Sequence, residues 1–205
     1  MPLARICAGL LASLTAATLF LAITVSAADH GGFIGGIWFL AHFFTILTTA
    51  LILAAMVTIA FGMSVSPSLL IALTVSSVMV GLVYHIALSH LVSLSGFAHL
   101  ANQSLHTLIP LATLSWWFLF APKPRLSPTA PIVWISWPLL YTAYYLVRSS
   151  RSGFYPYPFL DVPQIGWLIV ATNIAFLSVA FAGIGFLLTL VPRMGNRRPA
   201  PRTKL

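Results

Sequence analysis

The sequence predicts an all-α, polytopic integral membrane protein with six transmembrane helices and both termini in the cytoplasm. Of its 205 residues, 60% are hydrophobic and 6% are charged, whereas about a quarter of the residues in soluble domains are charged. Six apolar segments approach or exceed the length of about 20 residues that spans a bilayer. This composition excludes soluble enzymes, secreted scaffolds and disordered proteins. The single cysteine, Cys7, allows no internal disulfide.

The apolar segments are separated by short clusters of Gly, Pro and charged residues. We place the segments at Ile6–Ala27, Ile37–Phe61, Leu69–Val92, Ala98–Ala121, Ala130–Val147 and Ile165–Val191. Residues 1–192 then form one six-helix membrane domain, and residues 193–205 form a basic cytoplasmic tail. Arg5 and the small residues Ser26-Ala27-Ala28 around the first segment also resemble a signal peptide. Because the apolar run exceeds the ~7–15 residues of a signal core, we expect a retained helix.

The distribution of Lys and Arg predicts the orientation. With the N-terminus inside, eight of the ten basic residues lie on the inner side, and only Arg148 and Arg151 lie outside. By the positive-inside rule both termini are cytoplasmic, in a multi-pass protein of the cell (inner) membrane. The basic tail then lies near anionic lipid headgroups. The body of the chain has no basic face, so we expect no nucleic-acid partner.

Polar side chains recur at one depth in four of the predicted helices. If each helix is straight, Thr45, His85, His106 and Asn173 lie about 10–12 Å from the outer end of their helix, with His42 slightly above. Intramembrane polar residues face the bundle interior or a water-filled cavity. We therefore expect these side chains to line one pocket in the outer half of the bundle.

Helical spacing places many of the same residues on polar stripes. The stripes are Trp38, His42, Thr45 and Thr49 on helix two, Ser77, Gly81, His85 and Ser89 on helix three, and His99, Asn102, His106 and Thr113 on helix four. A structural explanation competes with a functional one. Ser and Thr in membrane helices usually bond carbonyls of their own helix, and an isolated His often bonds a neighbouring helix.

Three local patterns occur in a fixed order along the chain. They are His42-Phe43-Phe44-Thr45-Ile46-Leu47-Thr48, then Asn102-Gln103-Ser104-Leu105-His106-Thr107 followed by Ile109-Pro110, then the loop Phe154-Tyr155-Pro156-Tyr157-Pro158-Phe159-Leu160-Asp161. With six helices, this order resembles the androgen-induced and androgen-dependent membrane hydrolases, a six-helix family of lipid esterases acting on fatty acid esters of hydroxy fatty acids. The resemblance extends from about Phe43 to about Leu188 and suggests a bacterial relative. Animal members tend to carry a second histidine where this chain has Gln103.

The resemblance implies that Thr45 is the nucleophile and His106 its partner. A threonine hydroxyl needs a neighbouring base, and neutral His106 suits that role near physiological pH. Asn102 or Asn173 could orient the imidazole, and Asn102, Asn173 or Tyr145 could stabilise an oxyanion. The substrate would be a membrane lipid or lipid ester. The supporting pocket then comprises His42, His85, Asn102, Tyr145 and Asn173.

The loop after the fifth helix is expected to cover the outer mouth of the bundle. Its prolines, Pro156, Pro158 and Pro163, restrict the backbone. We expect a lid formed by Tyr157, Pro158, Phe159 and Asp161, with Tyr157 or Phe159 pointing inward. Alternatively, Asp161 has a purely structural role and forms an ion pair with Arg148 or Arg151.

Other functional classes are compatible with the same residues. His42, His85 and His106 could ligate haem or a metal. We expect no cofactor, because the chain lacks a second histidine layer and a His-Glu-x-x-His motif. The segment Ser93-Leu94-Ser95-Gly96 before His99 is a weak match to a rhomboid-type protease. A non-enzymatic accessory or transport protein, in which the polar layer serves assembly, is the remaining alternative.

Overall fold

The computed structural model describes residues 2–123 and 130–190, and these form an all-helical protein without strands in either range. Arg125 and the predicted basic tail lie outside the described residues. Three helical stretches are long and apolar enough to cross a membrane, and a bent helix pair brings the number to four. The α-helices are α1 (Pro2–Asp29), α2 (Phe33–Leu40), α3 (Phe44–Ala60), α4 (Pro67–Val83), α5 (Gly96–Gln103), α6 (Ile109–Phe120), α7 (Ala130–Ser152) and α8 (Val162–Thr189).

Two of the predicted segments contain turns that are not α-helical. α4 continues into a π-helical turn, Tyr84–Leu88, and a 3-10 turn, Ser89–Leu91. α5 and α6 are joined by a second π-helical turn, Ser104–Leu108. Such bulges occur frequently at functional sites, and here they lie on neighbouring helices.

The second predicted segment is not one straight helix. α2 and α3 meet at an angle of 103°, with Phe43 in an extended conformation. The expectation that Thr45 lies about 12 Å down a continuous helix from Ile37 is therefore wrong. Thr45 is instead the second residue of α3, close to the break.

Side chains from α7 satisfy the backbone groups that the break exposes. The Tyr144 hydroxyl donates to the Ala41 carbonyl at 2.9 Å, and the Tyr141 hydroxyl donates to the His42 carbonyl. Arg148 donates to the Trp38 carbonyl, and its guanidinium covers the Trp38 ring at 4.1 Å. Irregular backbone at membrane depth persists only where protein groups pair it, so α7 explains how this bend is tolerated.

The main core lies between α1, α3, α4, α6 and α7. Small residues let α1 approach α3 closely, as shown by the buried Ala8, Ala12 and Ala55. Trp117 and Trp134 are each 1% exposed and belong to this core. α8 is the least covered of the candidate spans, with 17% of its most apolar window buried.

Candidate active site

Thr45 and His106 meet in the interior of the bundle. The Thr45 Oγ1 lies 3.3 Å from the His106 Nε2, although 61 residues separate the two in sequence. Other buried Ser and Thr side chains, namely Thr15, Thr74 and Ser76, bond a carbonyl four residues earlier. Thr45 has no such carbonyl, because that of Ala41 lies beyond the break and accepts from Tyr144. Its hydroxyl is therefore directed toward the histidine.

The His106 ring is held in one tautomer and one orientation. Its Nδ1 lies 2.9 Å from the Asn102 carbonyl, and because a carbonyl only accepts, Nδ1 carries the proton. Nε2 then presents a lone pair to the Thr45 hydroxyl. The ring stacks on Tyr84 at a centroid distance of 4.1 Å, and the Tyr84 hydroxyl accepts from the Asn102 side-chain amide. This arrangement matches a general base aimed at a hydroxyl.

Pro110 accounts for the π-helical turn that carries His106. Proline has no N–H, and its ring collides with the carbonyl four residues earlier, which here belongs to His106. The Ile109 N–H bonds instead to the Ser104 carbonyl, five residues back. The released His106 carbonyl faces α4 at Gly81, where an added Cβ would lie 3.2 Å from it. A side chain at this position would require the His106 carbonyl to move by a few tenths of an ångström.

The start of α3 supplies an unpaired backbone donor beside the Thr45 hydroxyl. The Phe44 N–H donates to the Tyr157 hydroxyl at 3.1 Å. The Thr45 N–H has no acceptor within residues 2–123 and 130–190. The first N–H groups of a helix carry its positive dipole end. A developing negative charge near Thr45 would thus meet a free donor.

Two cavities meet at this pair. The narrow cavity, about 90 Å³, lies among α3, α4, α7 and α8, whereas the wide cavity, about 470 Å³, lies among α1, α2, the outer end of α4 and α5. Both are lined by Thr45, Leu88, His106 and Tyr157. The hydroxyl and the imidazole are accessible to a molecule that occupies either side.

The outer loop forms part of both cavity walls. Tyr157 is 8% exposed and reaches inward to Phe44, and Phe159 lines the narrow cavity. Pro158 begins a 3-10 turn. Asp161 accepts from the Gln164 N–H at 3.1 Å and caps α8, and it forms no ion pair with Arg148 or Arg151 in the described chain.

Four residues expected in the pocket lie outside both cavities. His85 is exposed and bonds Thr107 at 2.9 Å, whereas its neighbour Tyr84 is buried and stacks on His106. Tyr145 is fully buried, and its hydroxyl accepts from the Tyr157 N–H. Asn173 donates to the Phe159 carbonyl at 2.8 Å and so braces the loop. Among the described residues, neither ring nitrogen of buried His42 has a hydrogen-bond partner.

Asn102 is the supporting residue that does line a cavity. It acts on His106 through its main-chain carbonyl, while its side chain orients Tyr84. Tyr84 itself was missed by sequence reasoning, which gave it no role. The pattern Ile109-Pro110, one turn after His106, was the available signal for the bulge.

The histidines named for a haem or metal site lie in different surroundings. Within the part of the chain that the structure describes, no three His, Cys, Asp or Glu side chains converge as a metal site would require. His85 and His106 bond different partners, Thr107 and Thr45.

Comparisons of the chain with protein-family models, characterised proteins and solved structures found no match.

Proposed function

We propose that this protein is an intramembrane lipid-ester hydrolase with Thr45 as nucleophile and His106 as base. The observation that carries the proposal is the contact of 3.3 Å between Thr45 Oγ1 and an Nε2 whose lone pair is free, since Nδ1 donates to the Asn102 carbonyl. The pair lies between two cavities that could receive the two parts of an ester. We also propose kinship with the androgen-induced and androgen-dependent membrane hydrolases.

The reaction would proceed through an acyl-threonine. His106 Nε2 takes the proton of the Thr45 hydroxyl as Oγ1 attacks the ester carbonyl carbon. The carbonyl oxygen becomes an oxyanion, which the free Thr45 N–H at the start of α3 stabilises. The C–O bond to the alcohol then breaks, and the alcohol leaves with the proton from His106. A water, deprotonated by the same Nε2, attacks the acyl-threonine. The bond from the acyl carbon to Oγ1 breaks, the carboxylic acid is released, and the proton on Nε2 returns to the Thr45 oxygen.

In this mechanism the backbone N–H of Thr45 stabilises the oxyanion, in place of the side chains suggested from the sequence. The Asn102 and Asn173 side-chain amides are engaged with Tyr84 and the Phe159 carbonyl. A neutral carbonyl rather than a carboxylate supports the imidazolium formed during the reaction. Because an ionised partner stabilises that cation more strongly, we expect slow turnover.

The proposed membrane topology places this site in the outer half of the bilayer. We propose six spans with both termini cytoplasmic, which the positive-inside rule supports. α2–α3 and α5–α6 are each counted as one span, since each is a pair of helices along one predicted apolar segment. Substrate would reach the site from the outer leaflet.

The decisive experiment uses the purified full-length protein in detergent. Wild type should react with a fluorophosphonate lipid probe and hydrolyse a fluorogenic lipid ester. Thr45→Val should abolish both, whereas Thr45→Ser should retain part of the activity. Thr49→Val is the matched control, since Thr49 is a buried threonine one turn along the same helix that lines neither cavity. Equal activity of Thr45→Val and wild type, or no labelling of wild type, contradicts the proposal and favours a non-enzymatic role.

A further inference from the structure

We propose that Arg148 and His42 bind the phosphate group of a membrane phospholipid at the end of the bundle where α2 meets α7. This site is separate from the Thr45–His106 pair, since neither Arg148 nor His42 lines the two cavities at that pair. The inference therefore goes beyond the proposed hydrolysis and does not depend on it. A lipid bound there would stabilise the break between α2 and α3.

Arg148 is a buried cation without an acidic partner. It is 9% exposed, and the chain has only two acidic residues, Asp29 and Asp161. Neither pairs with Arg148 in the described parts of the chain, since Asp161 caps α8 and Asp29 is exposed at the end of α1. A buried charge without a counter-ion is costly, so an anion supplied by a ligand would stabilise this arrangement.

The guanidinium of Arg148 retains donors for such an anion. Of its five N–H groups, one donates to the Trp38 carbonyl and one to the Tyr144 hydroxyl. The others have no acceptor within residues 2–123 and 130–190. The Trp38 ring lies 4.1 Å from the guanidinium carbon and so limits the orientation of the group. A fixed guanidinium can present two parallel donors to two oxygens of a phosphate.

His42 supplies a second unpaired group beside this cation. It is 6% exposed, and neither Nδ1 nor Nε2 has a hydrogen-bond partner among the described residues. It lies close enough to Arg148 for the charge of the guanidinium to act on the imidazole. A neutral imidazole has one N–H, which can donate to the same anion. Because buried polar groups are normally hydrogen-bonded, one shared oxyanion accounts for both residues.

Phe154, in the loop after α7, covers His42. The two rings meet edge to face at a centroid distance of 5.3 Å, and Phe154 also contacts the rings of Phe39 and Phe43. Phe154 is 38% exposed, whereas the His42 nitrogens are closed to solvent. A ligand would therefore reach His42 by displacing the Phe154 ring.

The position of the site favours a lipid headgroup as the source of the anion. α2 meets α3 at 103°, so with α3 along the membrane normal, α2 lies nearly parallel to the membrane surface. Trp38 on α2 is 68% exposed, which is typical of an aromatic anchor at headgroup depth. Arg148 lies four residues before the end of α7, a rise of about 6 Å. Basic groups between membrane helices bind phospholipid headgroups.

The first test titrates the purified full-length protein, in a neutral detergent, with dioleoyl phosphatidylglycerol. The affinity is obtained from the rise in thermal unfolding temperature. Dioleoylglycerol, which has the same chains but no phosphate, should bind about tenfold more weakly. Equal affinities for the two lipids would overturn the phosphate site.

Two further ligands identify the source of the anion. Oleate offers a carboxylate on one chain, and inorganic phosphate offers the anion without a chain. We expect both to bind more weakly than phosphatidylglycerol. Stabilisation by oleate but not by phosphatidylglycerol would overturn the assignment to a phospholipid, and an equal affinity for inorganic phosphate would overturn the role of the lipid.

Variants assign the binding to the two residues. Arg148→Lys keeps the charge but loses the paired donors, and it should weaken phosphatidylglycerol binding about tenfold. His42→Phe, which removes no hydrogen bond of the side chain within the described residues, should weaken it a few-fold and keeps the proposal testable if Arg148→Lys does not fold. Arg151→Gln is the matched control, because Arg151 is an exposed cation on the same helix. Unchanged binding by His42→Phe and Arg148→Lys, or an equal loss in Arg151→Gln, would overturn the assignment.

The cover is tested by Phe154→Ala. This variant should bind phosphatidylglycerol a few-fold more tightly, because no ring has to be displaced, and weaker binding would overturn the route past Phe154. None of these measurements requires turnover. Failure of lipid binding leaves the proposed hydrolysis standing, and failure of hydrolysis leaves the lipid site standing.

Discussion

The Tyr157 hydroxyl, from the loop between α7 and α8, accepts the backbone N–H of Phe44, the residue directly before Thr45. The donor–acceptor distance is 3.1 Å, although 113 residues separate the two. This bond ties the outer loop to the start of α3, where the proposed nucleophile begins its helix. The loop therefore acts on the position of Thr45 as well as closing the bundle.

Loss of that hydroxyl should impair both stability and hydrolysis. Tyr157→Phe leaves the Phe44 N–H without its acceptor, and a buried unpaired donor costs about 1–3 kcal/mol. We expect a lower thermal unfolding temperature in detergent and a fall in kcat/KM of about tenfold. Tyr155→Phe is the control, because the Tyr155 hydroxyl has no hydrogen bond among the described residues. If both variants behave like wild type, the Tyr157 hydroxyl does not fix α3.

Alkaline pH should destabilise the fold through the same residue, Tyr157, because its buried phenol resists ionisation. Burial raises the pKa of Tyr157 to about 12, above the value of about 10 in an unfolded chain. A raised folded-state pKa means that the contribution to stability is complete below about pH 10 and is lost as pH rises toward 12. Unfolding temperatures measured from neutral to alkaline pH should fall less steeply in Tyr157→Phe than in wild type. Identical slopes would show that Tyr157 does not contribute.

The close approach of α4 to the His106 carbonyl should be sensitive to one methyl group. In Gly81→Ala the new Cβ lies 3.2 Å from that carbonyl oxygen, so the π-helical turn must shift away from α4. Misplacement of a catalytic base by a fraction of an ångström to 1 Å lowers turnover by ten- to a hundredfold, about the range we expect here. Gly183→Ala on α8 meets no atom within 4 Å and should retain full activity. Equal hydrolysis rates for the two variants would contradict this role of Gly81.

Thr45 and His106 should behave as one unit. If His106 acts only by activating Thr45, the double variant Thr45→Val/His106→Ala should be no less active than either single variant, because residues acting together are non-additive. The measurement is kcat/KM for the four members of the cycle, with unfolding temperatures to confirm that each protein is folded. Additive losses would instead indicate two independent structural contacts.

The orientation of the chain is tested by reporter fusions. Fusions after Arg125 and after Arg202 should both report the cytoplasm, because the basic residues concentrate on that side. A fusion after Gly153 should report the opposite side. A periplasmic signal at either basic position would contradict the six-span proposal.

The sequence by itself determined the helical, membrane-compatible character of the protein and the residue types available for chemistry. The predicted apolar segments coincide with the observed helices. An apolar run that is long enough to span a bilayer can be recognised from its length and composition, without knowledge of how its side chains pack. Thr45 and His106 were paired from depth and resemblance, and they are 3.3 Å apart. The depth argument for Thr45 assumed a continuous helix, which the bend of 103° removes.

Tertiary structure alone decided which polar side chains face the site. A π-helical turn adds one residue to a turn and rotates every following side chain by about 100°. Residues before and after such a turn therefore do not share a face, even when regular helical spacing predicts that they do. Tyr84, the first residue of the π-helical turn in α4's continuation, faces His106, whereas His85, the second, is exposed. The break before Phe44 exists because Tyr141 and Tyr144 bond its carbonyls, and no local pattern in residues 41–43 contains that information.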